Sequence, residues 1–188
     1  MATSTDEQLR ELTKGQTVPT EFLKTVTEYG SSRALRWMEG EDWKELTFSQ
    51  LADQAARVAA GLAAQGVEHG DRVVLMLRNI YQFHVADLAV LLCGATPVSI
   101  YNSSSPDQIA YLAGHCEAKL AILEDGGFLS RFTEVADQLP DLATIVVVNP
   151  PVEGEADIVE WSSLLDHDPV DLAEAVQVAQ PHDLATII

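Results

Sequence analysis

The chain has 188 residues, of which 47% are apolar, so it suits one globular domain or one and a half and is not a disordered chain. Its formal net charge is −18, from 29 acidic and 11 basic residues, a surface that repels nucleic-acid phosphates and anionic lipid. The acids are spread along the chain and form no block, which reads as a solubilising surface and not as an acidic tail.

Met1 to Arg10 carries neither a basic n-region nor an apolar h-region, so no secretory signal is visible. The longest apolar stretch, Leu88 to Tyr101, is broken by Thr96, Pro97 and Ser99 and is too short to span a bilayer. Cys93 and Cys116 fall in separate predicted helices and in no metal-ligand spacing. A reduced, cytoplasmic protein is the expectation.

Residues 1–18 show little apolar periodicity and are expected to form a flexible terminus. A helix is predicted after Pro19, with Phe22, Leu23, Val26 and Tyr29 at helical spacing and Gly30 at the left-handed position past its end. Residues 34–38 and 43–46 then flank the polar turn Glu39-Gly40-Glu41-Asp42 as a β-hairpin. Thr47 and Gln50 form a capping box, and Leu51, Ala55, Val58, Ala59 and Leu62 make one apolar helix stripe up to Gly66.

From here strands and helices alternate. The run Arg72 to Leu77 is apolar on both faces, which marks a central strand. Asn79 and Gln82 are read as the cap of a helix running to about Gly94, followed by a strand from Thr96 to Tyr101. Ser105, Pro106 and Gln108 supply N-cap, first-turn proline and capping partner for the next helix, which buries Ile109, Leu112, Ala113 and Cys116. Strand 120–123, the turn Asp125-Gly126-Gly127, a helix burying Phe128, Phe132, Val135, Ala136 and Leu139, and strand 144–148 complete the pattern. A loop over 149–158 leads to two short helices split around Asp168-Pro169, and residues 183–188 read as a final strand. The fold class is α/β, a mostly parallel βαβ sheet with helices on both faces plus an amino-terminal β-hairpin.

Candidate sites are sparse. Gly126-Gly127 follows a strand and opens a helix, where a phosphate could sit, but neither Gly-x-Gly-x-x-Gly nor Gly-Lys-Ser/Thr is present and a tight turn is the favoured reading. The hydroxyls of Asn102-Ser103-Ser104-Ser105 could hold an anion, although Ser105 as helix cap and a solvated loop explain them as well. His84 and Asp87 lie one helical turn apart, but two ligands do not make a metal site, and His69, His115, His167 and His182 show no matching spacing. Asp87, in a nearly all-apolar helix, needs a partner if buried, and Arg78 and Tyr81 are the candidates. Arg78-Asn79 itself reads as strand end plus helix cap.

Three stretches together carry a resemblance. They are Ala34-Leu35-Arg36-Trp37 with Trp43, Leu46-Thr47-Phe48 and Gly70-Asp71-Arg72-Val73; Leu77-Arg78-Asn79 with Gly94 to Tyr101 and Ser104-Ser105-Pro106-Asp107-Gln108-Ile109-Ala110-Tyr111; and Pro181 to Ile188. In order and spacing this resembles the amino-terminal part of the adenylate-forming superfamily of acyl-CoA synthetases, luciferases and adenylation domains. The tryptophan pair and the Ile-Tyr-x-Ser-Ser-Ser-Pro-x-Gln block look most like bacterial long-chain fatty-acid–CoA ligases. The resemblance spans about Pro19 to Ile188 and implies a parent that joins a fatty acid to coenzyme A through an acyl-adenylate, using ATP and Mg²⁺.

In that family the strand matching Asp183–Ile188 runs into a phosphate-binding loop, and the metal, ribose and lid residues come later. The resemblance therefore implies that residues 19–188 are an incomplete amino-terminal α/β domain ending just before that loop, inactive alone and without cofactor. It carries over no catalytic, cofactor-binding or metal residue: site residues are none. The missing carboxyl-terminal part of the same chain is the implied partner, and a homodimer is possible because the long-chain branch pairs through amino-terminal segments. The alternatives are a non-catalytic dimerisation or interaction module, and a related enzyme that adenylates another acyl or aryl acid. An unrelated nucleotide-binding α/β domain is disfavoured, since no glycine fingerprint follows any strand.

Overall fold

The structure is a computed structural model and describes residues 5–151 and 158–187. A helix, α1 (Thr5–Leu12), stands where apolar periodicity is weak. The second, α2 (Val18–Tyr29), begins one residue before Pro19, because Thr17 caps it. Thr17 Oγ1 accepts from Thr20 N at 3.2 Å and Thr20 Oγ1 accepts from Thr17 N at 2.9 Å, a capping box closed by two threonines.

Gly30 does not take the left-handed conformation expected of it; its φ is −50°. The glycine is there for a close approach instead. A Cβ would lie 2.5 Å from Ser49 Oγ and 2.7 Å from Val26 O, and Ser49 N donates to Gly30 O at 2.9 Å.

The hairpin of β1 (Arg33–Glu39) and β2 (Asp42–Thr47) forms as expected, antiparallel with Met38 opposite Trp43. It leans on the main body through Ala34 and Leu35 and through the Trp37 ring, stacked on Tyr81 with centroids 4.4 Å apart. The next helix, α3 (Phe48–Ala64), starts with the expected Thr47–Gln50 capping box.

Five strands, β3 (Arg72–Met76), β4 (Thr96–Ser99), β5 (Leu120–Asp125), β6 (Thr144–Asn149) and β7 (Val159–Glu160), make one parallel sheet in the order β4-β3-β5-β6-β7. The intervening helices are α4 (Tyr81–Leu92), α5 (Pro106–His115) and α6 (Gly126–Glu134), with α7 (Trp161–Leu165) and α8 (Leu172–Ala175) after β7. Strand residues alternate between two cores. Val73, Leu75, Leu120, Ile122 and Val146 face α3, α4 and α7, whereas Val74, Met76, Ala121, Leu123 and Val147 face α5 and α6. Phe128 and Phe132 anchor the second core; each is 1% exposed, and burial of such a ring stabilises by roughly 1.5–3 kcal/mol. The mixed α/β architecture, with helices on both sheet faces and a separate hairpin, is the expected fold class.

Leu112 and Ala136, expected on buried helix faces, are exposed, and two further local expectations fail. Asn79 does not cap α4: the N-cap position is Ile80, without a side-chain hydrogen bond. The stretch before it is tied to the sheet, with Ile80 N donating to Arg78 O at 2.8 Å and Arg78 N held by Glu124 at 2.6 Å. The final strand is also absent over residues 183–186. Among the described residues pairing is reduced to one parallel bridge between Ile187 and Val98, and Ile188 lies outside them.

Proline chemistry explains the short pairing. Pro97 turns the outward edge of β4 toward this segment, and its carbonyl accepts from Ile187 N at 3.2 Å. Its ring nitrogen has no hydrogen to give to the residues before Ile187. Side chains replace the missing ladder: Thr96 Oγ1 donates to Leu184 O at 2.9 Å, and Thr186 Oγ1 donates to Pro97 O at 3.2 Å.

Candidate functional site at the sheet switch point

Successive crossovers run from β3 to β4 in one direction and to β5 in the other, so the topological switch lies between β3 and β5. In open α/β sheets ligands bind in the crevice beyond the carboxyl ends of the strands at that point. Here the crevice is bordered by Arg78 after β3, by Glu124 and Asp125 at the end of β5, by the Asn102–Ser105 loop after β4, and by the first turns of α6.

An ion network fills it. Arg78 Nη1 donates to Glu124 Oε1 at 2.9 Å and to Asp125 Oδ2 at 2.6 Å, and the guanidinium lies 4.5 Å from the Phe128 ring centroid. Glu124 is 8% exposed, so its pairing with Arg78 satisfies a charge that would otherwise be stranded. Asp125 and then Glu124 hold the Arg78 guanidinium above its ordinary value. Arg78 in turn holds the Asp125 carboxyl below the usual carboxylate range, helped by the N–H groups of Phe128 and Gly127.

Gly126-Gly127 opens α6, but two donors of its first turn are taken. Asp125 Oδ1 accepts from Gly127 N at 2.9 Å and from Phe128 N at 3.2 Å, so a carboxylate of the chain itself caps this helix. Gly126 is small because Pro151 packs over it; a Cβ would meet the proline Cβ at 2.8 Å.

In the Asn102–Ser105 loop, Ser105 caps α5 with Gln108 as expected. Arg131 Nη1 gathers the carbonyls of Asn102 at 2.7 Å and Ser104 at 3.1 Å. Asn102 Oδ1 is buried without a hydrogen-bond partner among the described residues.

His84 and Asp87 stay apart from this crevice, on α4. His84 is exposed and edge-on to Phe83, with centroids 5.7 Å apart. Asp87 is half-buried, and burial pushes its carboxyl up, opposed by His84. Neither partner expected for it is in place: Arg78 is bound to Glu124 and Asp125, and Tyr81 stacks on Trp37.

The other histidines scatter. His69 pairs with Asp183 at 2.7 Å, His182 lies 3.9 Å from the same carboxylate, His115 stacks on Tyr111, and the His167 carbonyl accepts from Arg57. Cys93 and Cys116 close α4 and α5 at their carboxyl ends, and burial pushes the Cys93 thiol up to about 12. Among the described residues no group of three or more His, Cys, Asp or Glu side chains could hold a metal ion.

The family model for AMP-binding enzymes matches residues 22–188. The chain belongs to the AMP-binding enzyme family. Among curated members it is 26% identical over 172 residues to the long-chain-fatty-acid–CoA ligase ACSBG2 of Xenopus laevis, covering 89% of this chain and 23% of that protein. It is 27% identical over 147 residues to the long-chain-fatty-acid–CoA ligase FadD15 of Mycobacterium tuberculosis, covering 78% of this chain and 24% of that one. The chain thus spans about a quarter of the length of these relatives.

Solved structures share the fold. The anthranilate CoA ligase AuaEII, solved with anthranoyl-AMP, superposes with a TM-score of 0.78 at 22% identity, over 89% of this chain and 31% of that one. A putative long-chain-fatty-acid CoA ligase from Rhodopseudomonas palustris gives 0.70 at 20% identity, over 83% and 38%. This family member therefore carries the α/β architecture of CoA ligases over most of its length.

The residues at the switch point do not fit ATP. Arg78 Nη1 is committed to two carboxylates, and the Gly127 and Phe128 N–H groups are committed to Asp125. A triphosphate placed there would face Glu124 and Asp125 at close range. The network joins the ends of β3 and β5 through the Arg78 guanidinium, and Asp125 also caps α6. It was invisible in the sequence because Arg78 and Glu124 are separated by the whole β3–β5 crossover; Asp125, standing before two glycines at a strand-to-helix junction, was the one local signal of a cap.

Proposed function

We propose that this chain is the amino-terminal part of a longer ATP-dependent long-chain fatty-acid–CoA ligase. The parent would join a fatty acid and coenzyme A through an acyl-adenylate, consuming ATP with Mg²⁺ and releasing AMP and pyrophosphate. The observation that carries this reading is the similarity over most of the chain to curated long-chain-fatty-acid–CoA ligases. Family membership supports the adenylate step.

In this reading residues 19–188 are an incomplete α/β domain, and the side chains that touch ATP, metal and acid lie beyond it. The switch-point network supports that division, since its charges are spent on one another. The 188-residue chain is accordingly proposed to be inactive alone and to supply no catalytic, cofactor-binding or metal residue. The parent is proposed to act in the cytoplasm; among the described residues no helix is long and apolar enough to cross a membrane.

The test is thioester synthesis by the polypeptide encoded by the whole reading frame. With ATP, Mg²⁺ and coenzyme A it should consume long-chain fatty acids in preference to anthranilate or acetoacetate. Preference for an aryl or short acid would replace the substrate assignment. Absence of acyl-CoA with every acid would remove the ligase reading.

A further inference from the structure

Three turns meet at the amino-terminal edge of the sheet, beside the segment that runs along β4. The first precedes β3 and carries His69; the second joins α4 to β4 and carries Gly94; the third, Val178 to Asp183, follows α8. Gly70 N donates to Gly94 O at 2.9 Å, tying the first turn to the second. His69 Nε2 donates to Asp183 Oδ2 at 2.7 Å, tying the first to the third. Gly94 makes this junction possible twice over. Its φ is +69°, and a Cβ there would lie 2.5 Å from the His69 ring and 2.7 Å from Val178 Cγ1.

Asp183 has a second task. Its Oδ2 also accepts from Gln180 N at 2.7 Å, so the carboxylate closes the 180–183 turn while His69 anchors it. Gln180 N, then His69, hold the Asp183 carboxyl below its usual range, which keeps it an acceptor. Beyond Asp183 the segment is weakly tied. Pro97 denies it a full ladder, and among the described residues it is fixed by Thr96 Oγ1, by Thr186 Oγ1 and by the backbone bond from Ile187 to Pro97.

We propose that His69 is a positioning residue that latches Asp183 and thereby sets where residues 184–187 lie along the β4 edge. This deepens the function proposed above and, for its catalytic consequence, rests on that reading: the segment would present to the sheet's carboxyl end whatever follows Ile188. His69 acts through Asp183 and touches no substrate. A merely structural histidine would contribute to global stability; a latch governs local opening of one segment.

The test compares three variants by amide hydrogen exchange at Asp183 and Ile187, with global stability followed by thermal unfolding. His69→Gln carries an amide donor that reaches Asp183; His69→Asn is too short; His69→Ala has no donor. The Asn and Ala variants should speed Ile187 exchange about fivefold to tenfold, as expected when one charged hydrogen bond is lost from a locally opening segment. The Gln variant should stay within about twofold of the parent by the same reasoning. Should Ala fail to fold, the Asn and Gln pair decides. Equal exchange in Asn and Gln variants would overturn the latch.

In the whole-reading-frame polypeptide the Asn variant should raise KM for ATP more than it lowers kcat, with Gln restoring it. Absence of ligase activity in that polypeptide would sink the functional reading alone, because the exchange result stands without it. Equal loss of activity in Asn and Gln variants would count against the positioning role.

Discussion

Arg78 and Glu124 are joined twice: the backbone N–H of Arg78 donates to Glu124 Oε2 at 2.6 Å, and its guanidinium donates to Glu124 Oε1 at 2.9 Å. One carboxylate therefore satisfies both the strand exit of β3 and the cation that spans to β5. Glu124→Ala would leave the Arg78 N–H and side chain without this partner, and stability should fall by about 1–3 kcal/mol in urea unfolding. Glu124→Gln keeps an acceptor and should lose less. Equal losses in the two variants would show that the carboxamide cannot replace the second contact.

Two glycines in helices give opposite predictions. Gly61 on α3 faces Leu164 of α7, and a Cβ there would lie 2.8 Å from Leu164 Cδ2 and 2.9 Å from its Cα. Gly61→Ala should destabilise by about 1–3 kcal/mol, overpacking outweighing the roughly 1 kcal/mol gain in helix propensity. Gly114 on α5 has room, with Leu139 Cδ2 at 3.9 Å as the neighbour within contact range. Gly114→Ala should stabilise by about 0.5–1 kcal/mol. Chemical denaturation of both variants checks the pair.

Acid should act oppositely on two aspartates. Arg78 depresses the folded pKa of Asp125, so the stability it contributes is present above its unfolded pKa and is lost as pH falls through the folded value. Burial raises the folded pKa of Asp87, so its ionisation opposes folding above the unfolded pKa, and that opposition disappears at lower pH. Asp125→Asn, which retains a capping oxygen, should lower Tm near pH 7, with the difference shrinking toward about pH 3. Asp87→Asn should raise Tm near pH 7 and leave it unchanged at about pH 3. Thermal scans across that range separate the two.

The two thiols should also differ. Burial pushes Cys93 up to about 12 and Cys116 above its ordinary value, with Arg72 opposing the shift at Cys116. Both should react slowly with a thiol reagent in the folded protein, Cys116 first, and Cys93 should react fully after unfolding in urea. Rapid labelling of Cys93 under native conditions would contradict the buried geometry.

What the sequence revealed was local or periodic. The Thr47–Gln50 and Ser105–Gln108 capping boxes are closed within four residues, and both form as read. The alternating strands of the parallel sheet were legible because Val, Ile and Leu runs need cover on both faces. The same pattern misled at Asn79–Gln82, where Glu124 holds the preceding backbone and the helix begins without a side-chain cap. It misled again at residues 183–186, where the apolar segment reads as a strand but Pro97 on the neighbouring edge removes a donor. The Arg78–Glu124–Asp125 network and the His69–Asp183 pair join residues far apart in the chain, and single-sequence patterns carry no signal for such pairs.

Carboxylate-dependent exchange of pyrophosphate into ATP tests the central claim most directly, measured on the purified 188-residue chain and on the polypeptide of the whole reading frame. The longer polypeptide should show exchange with a long-chain fatty acid, and the chain alone should show none above background. Exchange by the 188-residue chain itself would contradict the proposed division, because the adenylating groups would then have to lie within residues 1–188.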